Sequence, residues 1–190
     1  MIARVETIHT AQRTFRALLD AVAYPGRVTP IVDLPAVPAG LSPALGACAR
    51  TLFDPDVAVW VAGVDGGAAA WLRDETGARI VREPAAAQFV VITDLRDVAP
   101  LGRWNAGTVE DPETSATLLV QVDALSGGRD VVLAGPGIED EIVIAPHGLD
   151  AQFWDAWAVN AARYPLGVDL FLFDPRAVAG VPRTVRATPR

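Results

Sequence analysis

The feature that most constrains the fold is a continuous apolar run, Val57 to Val61, which has the length of a β-strand. A short run with no polar face is typical of a strand covered on both sides, as in the centre of a parallel sheet. The residues Asp65, Gly66 and Gly67 that follow predict a turn. We therefore expect a sheet with other elements packed on both of its faces.

The first predicted helix covers residues 10–24, where apolar side chains recur at helical spacing and polar ones take the other faces. It ends at Pro25 and Gly26, which interrupt a helix. The face expected to be buried consists of Phe15, Leu18, Leu19 and Val22.

Two further helices have clear N-terminal signals. Ser42 followed by Pro43 is an N-cap with proline at the first helical position, and the helix that it begins carries Cys48 on its apolar face. The other helix begins at Asp150 and runs to Tyr164. Its side chains expected in the core are Phe153, Trp154 and Trp157.

The stretch 68–77, with Trp71 and Leu72, is predicted as a short helix, a helical fragment follows Pro84, and the other regular structure is predicted to be strand. The irregular segment 94–115 exceeds ordinary loop lengths, which suggests a surface with a function. Strands are predicted at 27–32, 78–82, 88–93, 116–123, 129–134, 141–145, 168–173 and 181–186. Pro30 marks the first as an edge strand, and Gly127-Gly128 predicts a hairpin between 116–123 and 129–134. The predicted class is α/β in a single domain, 1–190, with a mixed sheet and helices on both faces.

The basic residues exclude several kinds of chemistry. All 16 of them are Arg, so the chain has no lysine for a pyridoxal phosphate Schiff base, a Schiff base aldolase or a Walker loop. The net charge of -7 argues against binding nucleic acid or an anionic membrane surface. We expect no cofactor.

Neither a membrane span nor a secretory signal is predicted. The longest apolar run, 57–64, has eight residues, against about 20 for a spanning helix. The N-terminal residues 1–6 lead into polar sequence rather than into an apolar stretch. The expected location is the cytoplasm.

Nucleophile and metal motifs are weak. None of the three serines lies in a G-x-S-x-G elbow, and Cys48 on an apolar helical face is interpreted as an inert core thiol. One Cys and two distant His residues cannot complete a zinc site, and the acidic stretch 139–141 is interpreted as an exposed turn, so no metal is expected. The loop Gly135-Pro136-Gly137 only weakly resembles a phosphate loop, because proline lacks an N–H.

Arginine side chains remain as candidate binding groups, since a guanidinium can hold an oxyanion through paired hydrogen bonds. Arg16, Arg129 and Arg183 are the candidates. Asp169 lies in an apolar strand and should seek a charged or hydrogen-bonding partner. We predict that Asp169 and Arg183 share a polar cluster, either as a plain ion pair or near a ligand or subunit surface, and retain Arg16 as a possible binding residue. No residue is assigned as catalytic.

Six motifs taken in order resemble the PhnH family, the H subunits of bacterial carbon-phosphorus lyase systems. They are Phe15-Arg16-Ala17-Leu18-Leu19 leading to Pro25-Gly26, the run 116–122 leading to 125–128, Gly135-Pro136-Gly137-Ile138, Ile144-Ala145-Pro146, 164–170 beginning Tyr164-Pro165, and Pro182-Arg183-Thr184. Their order and spacing extend the resemblance over nearly the whole chain.

The resemblance implies a three-layer α/β/α sandwich with a mixed sheet, like the large domain of pyridoxal phosphate dependent transferases but without the cofactor. It implies a subunit needed, with the G, I and L subunits, to form alpha-D-ribose 1-methylphosphonate 5-triphosphate from ATP and methylphosphonate. The partners that it implies are the G, I and J subunits.

Two classes of function remain open: a non-catalytic or jointly catalytic subunit, and a free-standing enzyme that uses Arg and Asp chemistry on a small anionic substrate. Exposed apolar surface would favour the subunit. We also expect a homodimer when the chain is alone, because Trp71 and Trp104 lie outside the predicted core faces and suggest aromatic contact surface.

Overall fold

The structure is a computed structural model that describes residues 2–62, 67–98 and 100–190, with side chains described from residue 8 onward. The turn predicted at Asp65 and Gly66 lies outside the described residues. Four α-helices are present in the described ranges: α1 (Ile2–Ala23), α2 (Pro43–Leu52), α3 (Gly67–Thr76) and α4 (Ala151–Ala161).

Two of the helix starts confirm the predicted caps. Ser42 Oγ accepts a hydrogen bond from the Leu45 N–H at 3.4 Å, and Pro43 occupies the first helical position. Asp150 Oδ1 accepts from the Phe153 N–H at 2.9 Å at the start of α4. Within the described ranges, no helix combines the length and the hydropathy that a membrane-spanning segment requires.

The larger sheet has seven strands, and its mixed character confirms the prediction. In spatial order they are β1 (Thr29–Pro30), β9 (Ala177–Val181), β8 (Asp169–Phe173), β5 (Thr117–Gln121), β4 (Phe89–Ile92), β2 (Ala58–Ala62) and β3 (Arg79–Ile80). The five strands from β8 to β3 pair in parallel, whereas β9 runs in the opposite direction and pairs antiparallel with both β8 and β1. β1 is an edge strand, as Pro30 predicted.

A second, antiparallel sheet contains β10 (Arg186–Pro189), β6 (Val131–Ala134) and β7 (Ile142–Ile144), in that order. The predicted hairpin between β5 and β6 is therefore wrong, because the two strands lie in different sheets. β5 pairs with β4 and β8, and the three residues Leu118 to Val120 are fully buried. A strand buried on both faces is stabilised in the centre of the large sheet, whereas β6, with alternating burial, suits a sheet with one covered face.

The predicted C-terminal strand at 181–186 is also wrong in its bounds. β9 ends at Val181 and β10 begins at Arg186, with a turn between them in which the Val185 N–H donates to Pro182 O at 2.9 Å. The chain passes from the large sheet to the small one at this turn. Arg183 thus lies in the connection between the two sheets.

Two apolar clusters lie on the two faces of the large sheet. One joins α1, α2 and α3 to inward side chains that include Val59, Leu119 and Phe173. The other contains residues of α4 and of the small sheet, together with large-sheet side chains that alternate along the strands with those of the first cluster, such as Leu118. Phe153, Trp154 and Trp157 are buried in this second cluster, as predicted. Because both faces of the large sheet are covered, its central strands need apolar side chains on both sides, which explains the continuous apolar runs in the sequence.

The predicted buried face of α1 is wrong for three of its four residues. Leu18 is buried, but Phe15, Leu19 and Val22 are exposed, and the buried face instead carries Thr14, Ala17, Leu18 and Ala21. The cause is close packing, since a Cβ added to Gly180 on β9 would lie 2.5 Å from Ala21 O. Only small side chains fit where the α1 backbone passes so near a strand.

The aromatic surface expected from tryptophans is not present at Trp104. Its side chain is buried, and its ring centroid lies 5.0 Å from that of Trp60 in the second cluster. Trp71 is half-buried and packs against the first cluster. The large exposed apolar side chains of the described chain lie elsewhere, and four of the eleven are on α1.

Candidate functional site

The structure brings Asp169 and Arg183 together. Asp169 is the first residue of β8, and Arg183 follows β9, the antiparallel neighbour of β8. Arg183 Nη2 donates to Asp169 Oδ2 at 2.5 Å, and Nε donates to Oδ1 at 3.1 Å. The Arg183 backbone N–H also donates to Asp169 Oδ1, at 2.8 Å. The carboxylate therefore holds both the side chain and the backbone of the turn.

The rest of the guanidinium binds three further groups. Nη1 donates to Pro112 O at 3.0 Å and to Pro165 O at 3.2 Å, and Nη2 donates to Ser115 Oγ. These partners belong to the end of the irregular segment 94–115 and to the loop before β8. Only 12% of the Arg183 side chain is exposed, against 32% for Asp169. Arg183 thus fastens three separate parts of the chain to one another.

This arrangement leaves little of the guanidinium for a ligand. Arg has five N–H donors, and the described contacts occupy Nε and both Nη atoms. A shallow depression of about 250 Å³ adjoins the pair, lined in part by Glu113, whose carboxylate disfavours an anion. The pair also lies at the amino end of β8, whereas ligands of open α/β sheets bind at the carboxyl ends of the strands. The contacts are those of a structural ion pair.

The other Arg candidates lie apart from this cluster. Arg16 is exposed on α1 and makes no hydrogen bond to Asp169 or Arg183 within the described residues. Arg129 Nε donates to Arg190 O at 3.0 Å, which joins the start of β6 to the C-terminus. The three Arg residues predicted from the sequence as candidate binding groups, Arg16, Arg129 and Arg183, therefore do not form one site.

Cys48 has the character of a core thiol. Its side chain is fully buried in α2, and burial raises the pKa of the thiol far above its usual value. Within residues 2–62, 67–98 and 100–190, no three His, Cys, Asp or Glu side chains are placed to hold a metal ion.

The glycine loop 135–137 serves packing. Gly137 has a φ of +84°, and an added Cβ would lie 2.5 Å from Ala23 O at the end of α1. The element that follows the loop is the strand β7, not a helix. An anion site at a helix N-terminus therefore cannot form there.

A polar cluster at the carboxyl end of the parallel strands was not predicted from the sequence. Gln121, the last residue of β5, accepts from the Ser42 N–H at 2.6 Å through Oε1 and donates to Gly40 O at 3.2 Å through Nε2. Ser42 Oγ donates to Asp174 O at 2.7 Å. These contacts fix the start of α2 at the sheet edge. Since Ser42 and Gln121 are 79 positions apart, no local spacing predicts their contact.

Two side-chain contacts involve carboxylates that follow parallel strands, Asp94 after β4 and Asp123 after β5, and the sequence did not predict either contact. His147 Nδ1 is 3.4 Å from Asp123 Oδ2. Arg96 donates to Asp94, and this hydrogen bond, together with one from the Arg96 backbone N–H, lowers the pKa of Asp94 to about 2. A lowered carboxyl pKa disfavours a role as proton donor near neutral pH.

Comparison with known proteins gives the family. A sequence model described as "Bacterial phosphonate metabolism protein (PhnH)" matches residues 3–188. The chain is 38% identical, over 183 residues, to the "Alpha-D-ribose 1-methylphosphonate 5-triphosphate synthase subunit PhnH" of Rhizobium meliloti (strain 1021), covering 95% of this chain and 92% of that protein. It is 34% identical to the "Putative C-P lyase subunit protein HtxG" of Stutzerimonas stutzeri, over 91% of this chain and 83% of the relative. With a match of this extent, the chain belongs to the PhnH family of bacterial phosphonate metabolism proteins.

Proposed function

We propose that this protein is a subunit of a carbon-phosphorus lyase system. With the G, I and L subunits it takes part in forming alpha-D-ribose 1-methylphosphonate 5-triphosphate from ATP and methylphosphonate. The observation that carries the proposal is the similarity to a named synthase subunit over 95% of this chain. The match to the family between residues 3 and 188 supports the same conclusion.

The geometry supports a subunit without a self-sufficient active site. Asp169 and Arg183 bind each other and the surrounding backbone. Cys48 is buried. Because neither this pair nor Cys48 presents a free reactive group, catalysis by the assembled complex is proposed to use groups from other subunits.

The proposal extends to assembly and location. The partners are the G, I and J subunits, and the chain alone forms a homodimer. We place the protein in the cytoplasm, where ATP is available. We further propose that its one domain is a three-layer sandwich related to the large domain of pyridoxal phosphate dependent transferases; the two clusters on opposite faces of the sheet support this description.

The alternative, a free-standing enzyme using Arg and Asp on an anionic substrate, has less support. It requires guanidinium donors turned to a cleft, whereas those of Arg183 bind Asp169, Ser115 and two carbonyl groups. No described contact favours it over the subunit.

Co-expression with the G, I and J subunits tests the proposal. We expect native mass analysis to detect this chain in the purified complex, and triphosphate synthesis by the G, I and L subunits to require its addition. A complex that assembles and a synthesis that proceeds at full rate without this chain would contradict it. Sedimentation of the chain alone tests the homodimer, which a monomer at micromolar concentration would exclude.

A further inference from the structure

Large exposed apolar side chains concentrate near the N-terminus. Seven of the eleven in the described chain lie within residues 8–32, which makes a surface rather than scattered positions. They are Ile8, Phe15, Leu19, Val22, Tyr24, Val28 and Val32, each between 43% and 68% exposed. We call this set the N-terminal apolar surface. Elsewhere α1 packs on α2, β9 and β1, whereas the α1 members of this set stay exposed in the described chain.

The spacing along α1 indicates what fits this surface. Ile8, Gln12, Phe15, Leu19 and Val22 follow one another at intervals of four and three residues, and all are exposed. This alternation is the seam by which one helix packs against another. A single polar residue such as Gln12 in the seam specifies register at some cost in affinity.

Addition of a strand at the neighbouring sheet edge is disfavoured. β1 has only two residues, and Pro30 offers no N–H to an incoming strand. The Ile31 N–H is already donated inward, to Arg176 O at 2.8 Å. The surface therefore presents side chains, and a helix is the element that fits them.

Charge distinguishes between two occupants of this surface, a second copy of the chain and an acid-flanked helix of a different protein. Residues 8–33 contain three Arg and two Asp, a net charge of +1, whereas the whole chain has a net charge of -7. Arg13 is paired with Asp33 at 2.6 Å, while Arg16 is exposed beside the seam. In a contact between two copies with its two-fold axis at Phe15, residues beside the axis lie near their own equivalents, so the two Arg16 guanidinium groups would approach each other. A helix with Asp or Glu beside its apolar stripe avoids this repulsion.

We propose that the N-terminal apolar surface docks an amphipathic, acid-flanked helix of another subunit of the complex. The inference rests on the proposed function and deepens it, since it assigns the contact to named residues. Burial of Phe15 and Leu19 in the seam supplies affinity, and Arg16 selects for the acidic flank.

The test uses purified full-length variants and the purified complex of the other subunits, with binding measured by interferometry. Leu19→Glu should weaken binding by about tenfold or more, since it puts a charge in the seam. Arg16→Glu should also weaken it, whereas Arg16→Lys should retain it. Val109→Glu is the control, because Val109 is 72% exposed and lies outside the surface. These positions are exposed, so the melting temperatures should stay unchanged.

The other outcomes contradict either the proposed function or a specific part of the inference. If the natural chain does not bind the complex, the proposed function fails and the inference fails with it. If the natural chain binds and Leu19→Glu binds equally well, only the inference fails. Loss of self-association in Leu19→Glu with unchanged binding to the complex would assign the surface to a second copy. Binding improved by Arg16→Glu would exclude an acidic partner.

Discussion

Asn160, in the last turn of α4, binds both backbone polar groups of Val168. Its Nδ2 donates to Val168 O and its Oδ1 accepts from the Val168 N–H, each at 2.9 Å. Asn160 is buried, and Val168 immediately precedes β8. Because the next residue, Asp169, is held by Arg183, side chains from α4 and from the turn after β9 both bind the start of β8.

Asn160→Ala should therefore destabilise the fold strongly. The substitution leaves two buried backbone groups of Val168 without partners, which we expect to cost about 2 to 4 kcal/mol of unfolding free energy. Urea denaturation measures this difference. The adjacent Val159→Ala is the control, since Val159 is exposed and should change stability little. Equal midpoints for the two variants would contradict the role of Asn160.

Arg183→Ala separates the structural role of the ion pair from a role in binding. Removing the guanidinium leaves Asp169, Ser115 and two carbonyl groups without this donor, and we expect a loss of about 3 kcal/mol. The exposed Arg186→Ala is the matched control. If Arg183→Ala instead melts normally and weakens triphosphate synthesis by the assembled complex, Arg183 belongs to a ligand or subunit surface. A variant normal in both respects would exclude both roles.

Gly180→Ala should push α1 away from β9. The new methyl group would lie 2.5 Å from Ala21 O, so the helix must shift, and we expect a cost of about 1 to 3 kcal/mol. Thermal unfolding by circular dichroism measures the effect. Gly102→Ala is the control because no atom lies within 4 Å of its added Cβ. An unchanged melting temperature for Gly180→Ala would show that α1 is not packed so closely.

The Asp94–Arg96 pair should give a pH-dependent contribution to stability. The pKa of Asp94 falls from the usual 3.8 to about 2, so its stabilising effect is complete above pH 3.8 and lost as the pH falls through 2. An NMR titration of the Asp94 carboxyl carbon should show a midpoint near 2. In Arg96→Gln the midpoint should return toward 3.8. A midpoint near 3.8 in the natural chain would contradict this prediction.

Pyridoxal phosphate should not be retained by this protein. The chain has no lysine, so the covalent Schiff base anchor cannot form. Incubation with the cofactor followed by dialysis should leave no yellow absorbance band. A retained band would show binding by some other means.

Local signals in the sequence predicted structure correctly where a single residue determines the start of a helix or the position of a strand. Ser42 and Asp150 mark helix starts because each caps an N-terminus with its own side chain. Pro30 marks an edge strand because it lacks an N–H. The Asp169–Arg183 pair was also predicted, since an acid in an apolar strand requires a partner. Such inferences need only the chemistry of one residue and its immediate surroundings.

Local signals could not predict which strands pair with each other in the sheets. The sequence places strand-forming residues at β5 and β6, but only the packed structure decides that β5 pairs with β8 while β6 pairs with β10. The hairpin was predicted from nearness along the chain, yet burial on both faces stabilises β5 between parallel neighbours.

The sequence by itself determined the caps of α2 and α4, the edge position of β1 and the absence of lysine chemistry, because each depends on the identity of single residues. Tertiary structure alone decided which face of α1 is buried. The periodicity of α1 favours Phe15 and Leu19, but the close approach at Gly180 admits only small side chains such as Ala21. The larger side chains are left exposed because the space between a helix and a strand is set by both elements together.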